Sequence, residues 1–260
     1  MLGQGRHDFD GADIMTTLRR VVLGVAAVVL LAPAAAQAQI VRVTGSDTRN
    51  IFTVHLGAFH PKGEDSRVEG DVLFNDLNSL FFEIDDFRGF SFGADWTYAL
   101  TDYIEAGADI SFYSNKVPSV YREFVDSDGT EVAQDLKLRL IPITLSARFL
   151  PMGRKSTVQP FVGIGLGIIN WRYSETGEFI DFETNPDGDI FRANFVADGT
   201  ELAPVVIGGI RFLVSDAFTL GGEVRWHKAT GDTGGISQGF LGDKIDLGGL
   251  TTNFSFGFRF

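Results

Sequence analysis

The chain has no cysteine among its 260 residues, so a disulfide framework and a thiolate metal site are both excluded. Positive charge is scarce. Lysine and arginine number 22 against 34 aspartates and glutamates, a formal net charge of −12. Nucleic acid is therefore not expected as a partner, because phosphate binding calls for a basic surface. Beyond residue 32 no segment is apolar enough for a membrane helix, which takes about 20 such residues. The chain also has no low-complexity tract, no linker to a second domain and no repeat with a period of about 20–50 residues.

The one apolar run lies near the N-terminus. Arg19 and Arg20 precede VVLGVAAVVLLA (21–32), and small residues follow to Ala36-Gln37-Ala38. A basic start, a short apolar core and an A-x-A site make residues 15–38 a secretory signal peptide. Residues 1–14 are acidic and precede the basic region, so Met15 is the better start and the first fourteen residues read as an over-extended one. The mature chain is expected to begin near Gln39, with residues 39–50 as a periplasmic lead-in. A chain that leaves the cytoplasm without a second apolar helix can still span a membrane, but only as a closed barrel.

Residues 246–260 fit that description. Leu250, Thr252, Phe254, Phe256, Phe258 and Phe260 fall on one face of an extended strand, and Thr251, Asn253, Ser255, Gly257 and Arg259 on the other. In a water-soluble sheet such a phenylalanine wall would invite aggregation; against lipid it is what the surroundings require. The same alternation recurs in seven earlier segments: 51–60, 89–100, 103–113, 135–149, 158–171, 203–214 and 218–227. In 135–149, Leu136, Leu138 and Leu140 share a face with Ile143, Leu145, Ala147 and Phe149 only with one extra residue. A β-bulge at Ile141-Pro142 is expected to supply it.

The connections alternate in length. Long ones cover 61–88, 114–134, 172–202 and 228–245, and short ones 101–102, 150–157 and 215–217. Short periplasmic turns, long outer loops and an even strand count are the grammar of bacterial barrels, which predicts both termini in the periplasm. The four long connections hold 22 acidic and 9 basic residues, so the charge is expected on the extracellular face.

The predicted fold is all-β: an eight-stranded antiparallel up-and-down transmembrane β-barrel over 51–260 with long acidic extracellular loops. The alternation, with segments such as VQPFVGIGLGIINWRYSETGEF and LGGEVRWHKA, resembles the small bacterial outer-membrane β-barrel family that includes OmpA transmembrane-domain, OmpX and OmpW-like proteins. The terminal aromatic alternation is similar to the family's C-terminal targeting strand, although Ser255 stands where many such signals carry glycine. The resemblance implies that Phe254, Phe256, Phe258 and Phe260 form an assembly signal read by the barrel-assembly machinery. It also implies outer-membrane lipid and lipopolysaccharide as surroundings and a monomeric protein. It is weak for function, since barrels of this kind host unrelated activities.

By the assigned phase the interior carries Asp95, Glu105, Asp109 and Glu223 against Lys137, Arg139, Arg211, Arg225 and Arg259. An eight-stranded barrel is just wide enough for side chains to fill, and buried charges must pair. The two readings are a packed core of salt bridges and a narrow pore in which those pairs rearrange. Trp96, Tyr98 and Tyr103 at one rim, with Phe112, Tyr113, Trp171 and Trp226 at the other, fit interfacial girdles. His55, His60 and His227 are the candidate bases of the mature chain, but neither a His-x-Ser pair nor a G-x-S-x-G elbow accompanies them. Asp126-Ser127-Asp128-Gly129 and Asn185-Pro186-Asp187-Gly188-Asp189 resemble fragments of calcium loops. Neither continues to a glutamate at the twelfth position, so turns are the first reading and divalent cations on acidic loops the alternative.

No cofactor, catalytic residue or resident metal is expected. The reading is a non-enzymatic outer-membrane barrel with a structural or surface-interaction role. The alternatives are a narrow channel for small or apolar solutes and, ranked below it, a lipid-modifying enzyme. N-terminal sequencing of the membrane-extracted protein is expected to begin near Gln39; residues 1–14 still attached would contradict the signal assignment.

Overall fold

A computed structural model describes residues 48–181 and 188–260. The expectations for residues 1–14, 15–38, 39–47 and 185–187 lie outside the described residues. Eight long strands make a closed barrel: β1 (Asn50–Pro61), β2 (Gly89–Ala99), β3 (Ile104–Val125), β4 (Glu131–Phe149), β5 (Val158–Asp181), β6 (Asp189–Leu213), β7 (Phe218–His227) and β10 (Gly249–Arg259). Every neighbouring pair is antiparallel, and β1 closes on β10 with Phe52 opposite Phe258 and Leu56 opposite Phe254. A small hairpin, β8 (Thr230–Asp232) and β9 (Lys244–Asp246), stands in the last long connection.

Closure answers a backbone problem. Lipid cannot hydrogen-bond an exposed N–H or C=O, so each strand must be paired on both sides. The outward face is correspondingly apolar: Phe90, Phe92 and Trp96 on β2, Ile143, Leu145 and Phe149 on β4, and Val162, Ile164 and Leu166 on β5 are all exposed. Phe254, Phe256, Phe258 and Phe260 lie on this surface as well, and Phe218 of β7 stacks on Phe256 with ring centroids 5.5 Å apart.

Four strands are longer than the alternation suggested. The predicted connections 114–134 and 172–202 are largely continuations of β3, β4, β5 and β6. The β5–β6 ladder runs unbroken from Val158↔Phe212 to Asp181↔Asp189.

The expected bulge in β4 is absent. Pairing holds one register on both sides of Pro142, from Ile110↔Ile143 to Tyr113↔Leu140 with β3, and without interruption with β5. Near the proline the β3–β4 ladder skips the residues facing Pro142 and Ile141, because proline has no N–H to donate; its register shift lies elsewhere, between Val120 and Val125. Strict alternation therefore carries Leu136, Leu138 and Leu140 inward, each essentially fully buried. It also corrects two interior assignments: Lys137 and Arg139 stand on the outer face. Tyr113 and Trp171 likewise leave the girdle for the interior, 4% and 1% exposed.

The physical reason is an exchange of surroundings partway along the strand. Toward the short turns the outside is lipid and the interior polar; toward the long connections the outside is polar and the interior apolar. What fills that second half is the connection 62–88. Its short helix α1 (Val72–Asp76) buries Val72 and Leu73, and Leu80, Phe82, Ile84 and Phe87 follow them into a cluster with Phe59, Tyr113, Leu136, Leu138, Leu140, Ile169, Trp171 and Tyr173. Asp71 caps α1 by accepting from the Phe74 N–H (2.9 Å) and is gripped by Arg67 at 2.7 and 3.0 Å. Lys62 pairs with Asp246 at 2.8 Å, so the plug is tied to β9 as well as inserted into the barrel.

The phase of β4 can be checked directly because the chain has no native cysteine. Lys137→Cys should react with a water-soluble maleimide in the folded protein, and Leu138→Cys should be protected. Reversed reactivity would restore the bulge and reject the plug.

Candidate functional site

In the half of the lumen nearer the short turns, strand alternation turns a polar residue inward at almost every level. Arg211 of β6 donates to both carboxylate oxygens of Glu105 on β3, each at 3.1 Å, and also reaches Gln159 at 3.4 Å. Arg148 of β4 pairs with Asp95 of β2 and lies 4.0 Å from Glu223 of β7. Arg225 bridges Asp109 and Glu223, and Asn253 donates to the same Glu223 oxygen at 3.3 Å. His55 of β1 contacts Asp109 at 2.8 Å, and Ser111 donates to the other Asp109 oxygen at 2.8 Å. Phe161 lies between the Arg148 and Arg211 guanidiniums, 5.4 and 5.6 Å from its ring centre.

Of the interior charges read from the sequence, the lattice brings together Asp95, Glu105, Asp109, Arg211, Glu223 and Arg225. Arg259 faces inward at the short-turn end, where its Nε has no hydrogen-bond partner. Lys137 and Arg139 are outside, and their place is taken by Arg148 and His55. Arg148 was legible in the sequence but was passed over: with Ile143, Leu145, Ala147 and Phe149 outward, alternation already turns Thr144, Ser146 and Arg148 inward, with or without a bulge at Pro142. His55 needs the glycine beside it, since a Cβ on Gly93 would stand 2.5 Å from the imidazole.

The lattice leaves little room. A cavity of about 10 Å³ lies among Thr53, His55, Asp95, Arg148, Arg211 and Glu223. A second, of about 30 Å³, sits where the polar half meets the plug, bounded by Asp109, Ser111, Arg225 and His227 on one side and Tyr113, Leu140 and Ile169 on the other. Either volume suits about one water, not a solute. The larger one reaches Phe112 and Pro142, the place where the β3–β4 ladder is interrupted.

The remaining candidates have structural partners. His227 is buried, contacts the Leu247 carbonyl at 3.0 Å and stacks on Phe59. His60 lies 3.2 Å from the Thr252 hydroxyl. Asp128 accepts from the Thr130 N–H and hydroxyl at 2.9 and 2.7 Å, closing a turn in which Gly129 has a φ of 85°.

The plug holds an acid cluster that alternation did not reveal. Asp76 of α1 accepts from the Tyr173 hydroxyl at 3.2 Å, with Glu175 of β5 beside them, all three buried. These groups lie beyond the apolar belt, on the continuation of β5 and in the connection. Burial pushes the Glu175 carboxyl up to about 7. Burial, reinforced by the neighbouring Glu175, raises Asp76 well above the usual carboxylate range. Asp76 reaches the cluster from α1, so the cluster was invisible until the tertiary structure placed position 76 beside position 175.

A raised carboxyl means that the folded state binds more protons than the unfolded chain between the ordinary glutamate value near 4.5 and about 7. Stability present below that range is lost as pH climbs through it. Thermal melts of wild type and Glu175→Gln should therefore differ in their pH profiles, the wild type alone carrying a component of the midpoint that falls between about pH 4.5 and about pH 7. Parallel profiles for the two proteins would contradict a raised Glu175 carboxyl in the plug.

The family description "Outer membrane protein beta-barrel domain" matches residues 24–260. A search of curated proteins finds no match. Among solved structures, OprG from Pseudomonas aeruginosa is similar at 15% identity, covering 83% of this chain and 98% of that one, with a TM-score of 0.47. Ail of Yersinia pestis is similar at 13% identity, covering 83% and 100%, with a TM-score of 0.44. Neisserial surface protein A is similar at 14% identity, covering 83% and 99%, with a TM-score of 0.43. With the matched region taking in every strand of the closed barrel, the chain belongs to the outer membrane protein beta-barrel domain family.

Proposed function

We propose that this protein is a non-enzymatic outer-membrane barrel whose role is structural and surface-presenting. The observation that carries the reading is the doubly filled lumen: a salt-bridge lattice occupies one half and an apolar plug the other. A scaffold filled in this way invests its interior in rigidity. What it offers to its surroundings is the far end, where residues 172–181 of β5 and 189–198 of β6 extend past the apolar belt as a paired ribbon. At about 3.3 Å per residue this ribbon projects roughly 30 Å. Short connections on one side and long ones on the other favour termini in the periplasm and the ribbon outside the cell. The terminal Phe254, Phe256, Phe258 and Phe260 serve in this reading as the segment recognised by the barrel-assembly machinery.

One observation favours a second reading, a narrow route for small or apolar solutes. The larger cavity touches the wall at Phe112 and Pro142, where the ladder is open. A lateral passage there would join the lumen to lipid without crossing the charge lattice. For a lipid-modifying enzyme the support is weaker. His60 meets a threonine hydroxyl, but among the described residues no carboxylate is hydrogen-bonded to that imidazole to orient it.

Conductance separates the first two readings. The wild-type protein in planar bilayers should give no steady, large conductance. Glu223→Gln removes one of Arg225's two carboxylate partners while Asp109 stays, and should lower stability by less than the roughly 3–5 kcal/mol of a buried charge left with no partner. Brief openings in that variant are also expected. A stable wild-type conductance like that of a general porin would overturn the filled lumen. Uptake of apolar solutes without ion conductance, abolished by filling the gap with Ser111→Phe, would promote the lateral route instead.

A further inference from the structure

The outer wall of the barrel changes character at one height. On β4 the lipid-facing series Phe149, Ala147, Leu145, Ile143 and Ile141 gives way to Arg139 and Lys137. On β3 the series from Ile104 to Phe112 ends at Ser114 and Lys116, and on β5 the series from Val162 to Ile168 ends at Asn170 and Arg172.

The registers gather these cations into one patch. Lys116 is directly opposite Lys137, and Arg139 is directly opposite Arg172. Cross-strand neighbours stand about 4.5–5.5 Å apart at Cβ, and like charges so placed destabilise a sheet. Nearby acids offset only part of this. Lys116 pairs with the exposed Asp135 at 3.0 Å, and Asp198 stands opposite Arg172. Arg139 has the weakest compensation: its Nη2 reaches the Asn170 side-chain oxygen at 3.5 Å, and its Nε is buried without a hydrogen-bond partner. Ser114 and Ser174 add hydroxyls on the same face, opposite Arg139 and Lys137. A chain of net charge −12 thus concentrates four cations against two acids at a single place on its wall.

That place is defined by the membrane. Arg139 and Arg172 are two and four residues beyond the last outward isoleucines, Ile141 and Ile168, so about 7–13 Å of strand separates them from the belt. This is the depth at which a lipid's polar group meets water. Arginine forks bind phosphate oxygens in pairs, and lysines add point charge beside them. We propose that the outer wall formed by Lys116, Lys137, Arg139 and Arg172 binds the phosphate of a phosphorylated glycolipid in the surrounding leaflet. The choice of lipid rests on the outward orientation given above; the choice of phosphate rests on the patch alone.

The test uses the mature, folded protein in detergent, titrated with bis-phosphorylated lipid A and, separately, with dephosphorylated lipid A and inorganic phosphate. Binding is read by native mass spectrometry. The wild type should prefer the bis-phosphorylated lipid, and Arg139→Gln/Arg172→Gln should weaken it at least about tenfold. Arg122→Gln/Arg192→Gln, two basic residues elsewhere on the strand continuations, serves as the charge-matched control and should bind as the wild type does. Retained heat-modifiable migration shows that each variant is folded, and Arg139→Lys provides a milder change if the double variant is not. Equal binding by the patch variant, equal loss in the control, or indifference to the lipid's phosphates would each overturn the site. Inorganic phosphate binding as tightly as the lipid would also overturn it, in favour of a soluble anion. Surface labelling of Lys137→Cys on intact cells tests the orientation separately: an unlabelled cysteine in a protein that still prefers the bis-phosphorylated lipid would refute the orientation while sparing the patch.

Discussion

The ring of antiparallel pairing is the constraint on which the rest of this protein depends. In lipid no backbone group can be left unpaired, so β1 must find β10 and every strand must hold two neighbours. Closure then couples all the phases. A slip of one residue would exchange the inner and outer faces of a whole strand, and its partners would not tolerate that. Pro142 shows how strong this coupling is: the proline removes one donor from the β3–β4 ladder, yet the register on either side is unchanged.

With alternation held constant, the surroundings do the varying. Along β4 the inward set runs from Arg148, Ser146 and Thr144 to Leu140, Leu138 and Leu136, while the outward set runs from Phe149 and Leu145 to Arg139 and Lys137. Both sets invert near Pro142. Hydrophobicity alone reads this as a phase change, because a sequence does not say which side of the strand faces water. The connection 62–88 resolves the ambiguity by entering the barrel and giving the upper leucines an apolar interior.

The charge lattice follows from the same geometry. Inward alternation on the regular strands made Asp95, Glu105, Asp109, Arg211, Glu223 and Arg225 legible as interior groups. Their pairing was not legible, since Glu105 meets Arg211 across the lumen and Asp95 meets Arg148 two strands away. Those distances depend on how the sheet closes. The acid cluster of Asp76, Tyr173 and Glu175 was further out of reach, because α1 belongs to a connection with no period to read. Its carboxyls are pushed toward their neutral forms because the plug shields them from water, a property of the packed interior and not of either residue's neighbours in sequence.

The sequence by itself determined the number of membrane strands, their order, the apolar face of most of them and the alternation of short and long connections. Each of these is local, expressed in a period of two and in turn residues. Tertiary structure alone decided where the strands end, which way the upper half of β4 faces, and which acid each interior arginine meets. It also decided that the first long connection is a plug and that four cations line up on one wall. These are decided by what stands opposite a residue once the ring is closed, and the residue opposite is dozens of positions away in the chain.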